Sequence, residues 1–202
     1  ENNFLRICNR KKGNSVLYNT VESDIILEKS NELIKSNTFL ENEGMKLIAV
    51  GEIIPIKGFD RLAKIHKKLI EEGYKIQTFI LGIGEGKEQL EKYVLNEKIE
   101  DSHFLGYHTN PYKYVKNSDL FICSSLSEGF STAITEALIV GTPIVSTNVS
   151  GVKDLLGKSE YGLVTENNEE SLYEGIKYML DNSDILQYYK NKAKERGELF
   201  KK

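Results

Sequence analysis

The sequence predicts an α/β domain built on a doubly wound parallel sheet of about six strands. From Lys46 onward, short runs rich in β-branched residues alternate with stretches of helical apolar spacing, the rhythm of βα units feeding a parallel sheet. Glycines punctuate that rhythm, ending strands at Gly51 and Gly82 and helices at Gly73 and Gly141. With 202 residues and 40% hydrophobic content, the chain can bury the core of one ordinary domain.

The first strand is Lys46 to Val50. A helix over about 59–72 follows, because Phe59, Leu62, Ala63, Ile65, Leu69 and Ile70 recur at helical spacing. Ile76 to Leu81 makes the second strand, and Gly82-Ile83-Gly84-Glu85-Gly86 turns the chain into a helix built on Leu90, Tyr93 and Val94. His103 to Leu105 reads as the third strand. Pro111 suits the first turn of a short helix through Tyr112, Val115 and Lys116. Asp119 to Ser124 is the fourth strand, and Ser131 to Val140 the helix after it. Pro143 to Thr147 and Gly162 to Val164 give the fifth and sixth strands, and helices over about 169–180 and 185–199 complete the unit. Residues 1–45, rich in Asn, Lys and Ser, do not share this rhythm and read as a linker with terminal elements, which leaves 46–202 as the sheet domain.

Charge and composition exclude several function classes. The 27 basic and 30 acidic residues are interspersed and sum to -3, so no basic stripe exists for a nucleic-acid backbone. No apolar run approaches the roughly 20 residues needed to span a bilayer. Cys8 and Cys123 suggest no disulfide framework, and Cys123, inside an apolar strand, reads as a small buried thiol that fits a reducing cytoplasm. His66, His103 and His108 lack Cys or carboxylate partners at ligand spacing, so no metal site is expected. Tyr173, Tyr178, Tyr188 and Tyr189 lie on the last helices, where packing is the expected role.

Ligands of doubly wound sheets sit outside the carboxyl ends of the strands. The loop after the fourth strand, Ser124 to Thr132, runs straight into a helix N-terminus, where backbone N–H groups and the helix dipole favour an anion and Gly129 admits a phosphate close to the backbone. A diphosphate is a natural occupant. Glu136 lies one turn beyond Thr132, offset from the apolar face of Ala133, Ile134, Ala137 and Leu138, and so can face that ligand. A carboxylate beside a diphosphate is useful if it accepts hydrogen bonds from hydroxyls, as in the grip on a ribose diol. Taken alone, Glu128 could equally complement the helix dipole, and Glu136 could be a solvated helix residue. The loop after the first strand carries Lys57, either a phosphate contact or a surface lysine. In Gly82-Ile83-Gly84-Glu85-Gly86 the glycine spacing departs from the dinucleotide fingerprint, and a tight turn with backbone near a nucleobase is the better reading.

The segment Glu128-Gly129-Phe130-Ser131-Thr132-Ala133-Ile134-Thr135-Glu136 spaces two glutamates with seven residues between them, inside Asp119 to Ser125 and before Ala137 to Val145. In that context, with Lys57-Gly58, Gly82 with Gly84, Phe104 to Tyr107 and Asn110-Pro111-Tyr112, the chain from about Val16 onward resembles glycosyltransferase family 4, retaining sugar transferases of GT-B fold, and specifically the C-terminal donor-binding domain. The resemblance implies a Rossmann-like sheet forming the C-terminal half of a GT-B fold. It implies that Glu136 binds ribose hydroxyls and Glu128 the hydroxyls of the transferred sugar. Lys57 would neutralise the diphosphate with backbone amides of Gly129, Phe130, Ser131 and Thr132, the base would rest near Tyr107, and Gly51 and Gly82 complete the donor-binding set. Charge grows on the diphosphate as the glycosidic bond breaks, so neutralising it suits catalysis by Glu128 and Lys57 without a metal or other cofactor.

The function so implied is transfer of a hexose from a nucleoside diphosphate sugar, UDP-hexose foremost, to a glycan or lipid-linked acceptor in cell-surface polysaccharide synthesis. One departure is plain: Glu52 stands where many members of the family carry an arginine as a second phosphate contact. Val149 to Asp154 resembles the later glycine loop, with Asp154 where a glutamate is commoner. Ser15 to Glu22 resembles an interdomain connection, which implies an acceptor-binding domain of about 190 residues upstream. Membrane contact would run through that missing half, at the inner face in the cytoplasm, and the present chain alone would bind nucleotide but scarcely transfer sugar. Alternatives on the same fold are a non-catalytic partner subunit and a nucleotide-sugar epimerase or phosphorylase. A dinucleotide-dependent oxidoreductase is disfavoured by the glycine spacing.

Overall fold

The computed structural model describes residues 22–40 and 43–201. Six parallel strands form one sheet: β1 (Met45–Val50), β2 (Ile76–Leu81), β3 (Ser102–Gly106), β4 (Leu120–Cys123), β5 (Ile144–Thr147) and β6 (Leu163–Thr165). Their order is β3-β2-β1-β4-β5-β6. The helices are α1 (Ser23–Ser30), α2 (Asn37–Leu40), α3 (Phe59–Glu71), α4 (Lys87–Asn96), α5 (Tyr112–Lys116), α6 (Thr132–Val140), α7 (Val152–Leu156), α8 (Glu169–Asp181) and α9 (Ser183–Glu198). This is the doubly wound α/β sheet that the alternating runs predict. The order grows outward from β1 on one side and from β4 on the other, so the loops leaving those two neighbours diverge and open a crevice at their carboxyl ends.

Side chains alternate between the faces of each strand. Leu47, Ala49, Ile80, Leu120 and Ile122 enter a core shared with Leu62 and Leu69 of α3, Leu90 of α4 and Ile176 of α8. Ile48, Phe79, Leu81 and Phe121 enter a second core with Tyr114 of α5, Leu138 of α6 and Ala193 of α9. Helix ends follow local chemistry. Ser131 caps α6 by accepting the Ile134 N–H at 3.3 Å, and Gly141 closes it in the left-handed conformation. Asn168 caps α8 by accepting the Ser171 N–H at 2.8 Å.

Where the sequence suggests a linker up to residue 45, residues 23–40 carry two helices packed on the sheet unit. α1 lies against α5 and α6. Phe39 is buried between Phe79 and Tyr114, with ring centroids 4.7 Å and 5.3 Å away. These few apolar anchors sit in a polar stretch, too sparse to show helical periodicity. Cys8 and the Ser15–Val21 part of the expected interdomain connection lie outside the described residues. A second difference is α7, read from sequence as part of a glycine loop; Val152, Leu155 and Leu156 are fully buried and Lys153 and Asp154 exposed, but five residues are too few for a periodic signal. No described helix is long and apolar enough to cross a membrane.

The loops after β1 and β2 touch backbone to backbone. Gly51 N–H donates to the Leu81 carbonyl at 3.0 Å, and Gly82 N–H to the Gly106 carbonyl at 2.9 Å. Gly82 has φ +153°, and a Cβ there would lie 1.8 Å from the Gly51 carbonyl oxygen. Gly82→Ala is therefore expected to destabilise the fold by about 2–4 kcal/mol, the range of steric and backbone-strain mutations, measured by urea unfolding. A loss below about 0.5 kcal/mol, the scale of surface substitutions, would show that the two loops move apart freely.

Candidate functional site

Two turns face each other across the crevice. After β1, a 3-10 turn over Pro55–Lys57 ends at Gly58, which has φ +63°. A Cβ on Gly58 would lie 2.3 Å from the Ser124 carbonyl oxygen, so glycine lets this turn press onto the loop after β4. Polar contacts stitch the two together: Ser124 Oγ donates to the Lys57 carbonyl at 2.9 Å, and Leu126 N–H to the Ile56 carbonyl at 2.7 Å.

Lys57 and Glu128 consequently meet. Lys57 Nζ lies 2.6 Å from Glu128 Oε1, with the side chains 25% and 11% exposed. Ser125 Oγ donates to the same oxygen at 2.6 Å. Behind the loop, the buried Arg61 donates from Nε to the Ser124 carbonyl at 2.6 Å and from a terminal nitrogen to Asn167 Oδ1 at 2.9 Å. Asn167 in turn donates to the Leu126 carbonyl at 2.8 Å. Burial pulls the Arg61 pKa below its ordinary value. Thr147 of β5 donates to the Ser125 carbonyl at 2.7 Å.

α6 supplies the rest. The first N–H groups of a helix have no partner within it, and here that end opens on a cavity of about 300 Å³ lined by Lys57, Glu128, Phe130, Ser131, Thr132 and Glu136, with Gly51 at its edge. Glu136 has no hydrogen-bond or ion-pair partner among the described residues. Burial pushes its carboxyl up to about 7. Tyr112 stands near it, its phenol pushed up by burial first and then by the Glu136 charge.

A second cavity, of about 480 Å³, is lined by Gly82, Ile83, Tyr107, His108 and Pro111, and shares Val50, Gly51 and Glu52 with the first. Tyr107 is 69% exposed at its mouth. The structure thus gathers seven of the sequence-selected residues in one cavity and Tyr107 and Gly82 in its neighbour. Gly129 lines neither. A Cβ on Gly129 would meet nothing within 4 Å; the close approach in this region falls instead at Gly151, where a Cβ would lie 2.7 Å from the Gly129 carbonyl oxygen. A hollow of about 410 Å³ between α3 and α4 is mostly apolar and holds none of the selected residues.

Sequence reasoning did not single out Arg61, Asn167 or Thr147, and it reached Ser125, Tyr112 and Gly151 only as members of motifs, with no role of their own. Arg61 carried a faint signal, being flanked by the apolar stripe of α3 at Leu62 and Ile65. His66 donates from Nε2 to the Glu100 carbonyl at 2.7 Å, which leaves Nδ1 to accept the Thr78 hydroxyl at 2.8 Å.

The family described as glycosyl transferases group 1 matches residues 30–196. The N-acetylgalactosamine-N,N'-diacetylbacillosaminyl-diphospho-undecaprenol 4-alpha-N-acetylgalactosaminyltransferase of Campylobacter jejuni is 34% identical over 208 residues, covering 97% of this chain and 56% of that protein. The capsular polysaccharide biosynthesis glycosyltransferase CapM of Staphylococcus aureus is 22% identical over 172 residues, covering 84% of this chain and 45% of that protein. The chain spans about half the length of these curated relatives. Among solved structures, Anabaena HepE in complex with UDP superposes with a TM-score of 0.78 at 18% identity, over 93% of this chain and 53% of that one. The C-terminal domain of the group 1 glycosyl transferase LpcC from Francisella tularensis gives 0.74 at 14% identity, over 89% of this chain and 97% of that one. The sheet is thus the Rossmann-like C-terminal half of a GT-B fold, and the chain belongs to the group 1 glycosyl transferases.

Proposed function

We propose that this chain binds the donor, a nucleoside diphosphate sugar, for retaining transfer of a hexose from UDP to a glycan or lipid-linked acceptor in cell-surface polysaccharide synthesis. Glu136 carries this reading. A carboxyl that is mostly buried, partnerless and placed one turn inside a helix N-terminus at the switch point is costly unless a ligand hydroxyl satisfies it. A ribose diol does so. Lys57 and the amides of Gly129 to Thr132 take the diphosphate, and Glu128 takes hydroxyls of the sugar. The base enters the adjoining cavity beside Tyr107, Gly82 and Gly51. As the bond from the anomeric carbon to the diphosphate oxygen breaks, its electron pair stays on the diphosphate, where Lys57 and the helix end offset the growing charge without a metal.

The names of relatives support the class. The Campylobacter jejuni protein is named as a transferase acting on a diphospho-undecaprenol-linked sugar, and HepE has been crystallised with UDP and with UDP-glucose. The acceptor, by this reading, is held by a further domain of about 190 residues on the usual domain scale. A lipid-linked acceptor would put the work beside a membrane, and we place it at the cytoplasmic face. The present chain then binds donor but scarcely transfers it.

Calorimetry on this chain tests the proposal. UDP and at least one UDP-sugar should bind with dissociation constants below about 1 mM, equivalent to about 4 kcal/mol. Absence of binding at that concentration, or equal affinity in Glu136→Ala, would sink it.

A further inference from the structure

Resting on the donor-site reading above, we propose that Ser125 is the positioning residue for Glu128, keeping its carboxylate aimed into the cavity once Lys57 turns to the diphosphate. In the structure Glu128 Oε1 takes two donors, Lys57 Nζ and Ser125 Oγ, each at 2.6 Å. An ionised carboxylate only accepts, so the one hydroxyl proton of Ser125 points at Glu128, while its oxygen accepts the Cys123 thiol at 3.8 Å. With Oε1 occupied, Oε2 remains for a ligand hydroxyl.

The two donors respond differently to a diphosphate. Lys57 is a cation on a flexible stem, 25% exposed, and an arriving polyanion draws it away. Ser125 is 3% exposed, uncharged, and pinned through its carbonyl by Thr147 Oγ1 at 2.7 Å. It cannot follow. Glu128, whose side chain is only 11% exposed, would then lose both of its donors if Ser125 were absent, and a nearly buried carboxylate without donors turns toward solvent. The structure therefore separates two duties: Lys57 serves the phosphates, and Ser125 secures the group that reads the sugar. The alternative is that Ser125 merely holds its loop in shape, in which case nucleotide and sugar binding would suffer together.

Calorimetry with UDP, UDP-glucose, UDP-galactose and their N-acetylhexosamine counterparts separates these readings on the chain as it stands. The readout is the gain in affinity that the sugar confers over UDP alone. Ser125→Ala is expected to reduce that gain by about tenfold, one hydrogen bond to a charged group, while UDP affinity stays within about twofold. Ser125→Thr, which keeps the hydroxyl, should retain the gain. Thr147→Val, which frees the Ser125 carbonyl, should reduce it partially. Unchanged gain in Ser125→Ala, or an equal loss for UDP, overturns the proposal and leaves the donor-site reading standing, and so does a wild type that gains nothing from any sugar in the panel. A wild type that fails to bind UDP overturns the donor-site reading as well. Melting curves confirm that each variant is folded; should Ser125→Ala not fold, the Thr147→Val result decides.

Discussion

Glu136→Gln is expected to make the folded chain more stable at about pH 8 and, in the same molecule, to weaken nucleotide-sugar binding. Burial raises the Glu136 carboxyl from the ordinary 4.5 to about 7. The fold therefore prefers the protonated acid. Its contribution to stability is full below the unfolded value, declines as the pH rises from about 4.5 toward 7, and is lost above the folded value. A shift of this size corresponds to about 3–4 kcal/mol at most, and since the carboxyl borders an open cavity, about 1–3 kcal/mol is the expected gain for a neutral isostere at about pH 8. At about pH 4, below both values, the substitution should be nearly neutral. Urea unfolding at the two pH values measures the difference, and equal effects at both would show that the carboxyl is not held off its charge.

The binding arm moves the other way. Only the ionised carboxylate offers acceptors to both hydroxyls of a diol, so glutamine should cost about one charged hydrogen bond, ten- to a hundredfold in affinity. In the wild type, UDP-glucose should bind more tightly as the pH rises through about 7, and Glu136→Gln should flatten that dependence. UDP-glucose is the better probe because, unlike UDP, it has no terminal phosphate titrating nearby. A residue that destabilises its own fold in order to stay available is the pattern expected of a binding site.

Which parts of the molecule were legible in the sequence depends on how local their causes are. β2 is readable to the residue, because Ile76 and the run Phe79-Ile80-Leu81 are strand-forming apolar residues bounded by the turn residues Gly73 and Gly82, although the strand also buries Gln77 and Thr78. Even the direction of Glu136 can be read, since one turn of helix separates it from Thr132 and the apolar stripe of α6 lies elsewhere. α1 and α2 could not be read that way. Ile26 and Phe39 anchor them by packing on distant elements, and no period in a polar stretch announces two anchors. The same holds within the site. Lys57, Ser125, Glu128 and Thr147 come from the ends of three different strands, and only the sheet order brings them together. Ser125 and Arg61 look like an ordinary loop serine and a helix surface arginine until the loop after β4 is laid on α3.

Lys57→Met is expected to lower UDP affinity by about ten- to a hundredfold, the worth of a charge-assisted contact, with little effect on stability. Three carboxylates, Glu52, Glu128 and Glu136, line the two adjoining cavities with a single lysine among them. A diphosphate adds negative charge to that set, and even with Glu136 about half protonated near neutrality, Lys57 is the one lysine or arginine among the described residues lining these cavities that can offset it. Stability should change by less than about 1 kcal/mol, because the Lys57–Glu128 pair is partly exposed and Ser125 still donates to Glu128. Glu52→Arg is the mirror experiment. It replaces an exposed carboxylate shared by both cavities with a cation, and should tighten UDP several-fold at low ionic strength, a gain that fades toward about 1 M salt as screening shortens the range. Uridine supplies the control that locates the effect: without phosphates, it should bind wild type and Lys57→Met alike. Loss of uridine binding in that variant would mean that Lys57 shapes the loop instead of meeting the diphosphate, and the donor site would then rest on the end of α6 alone.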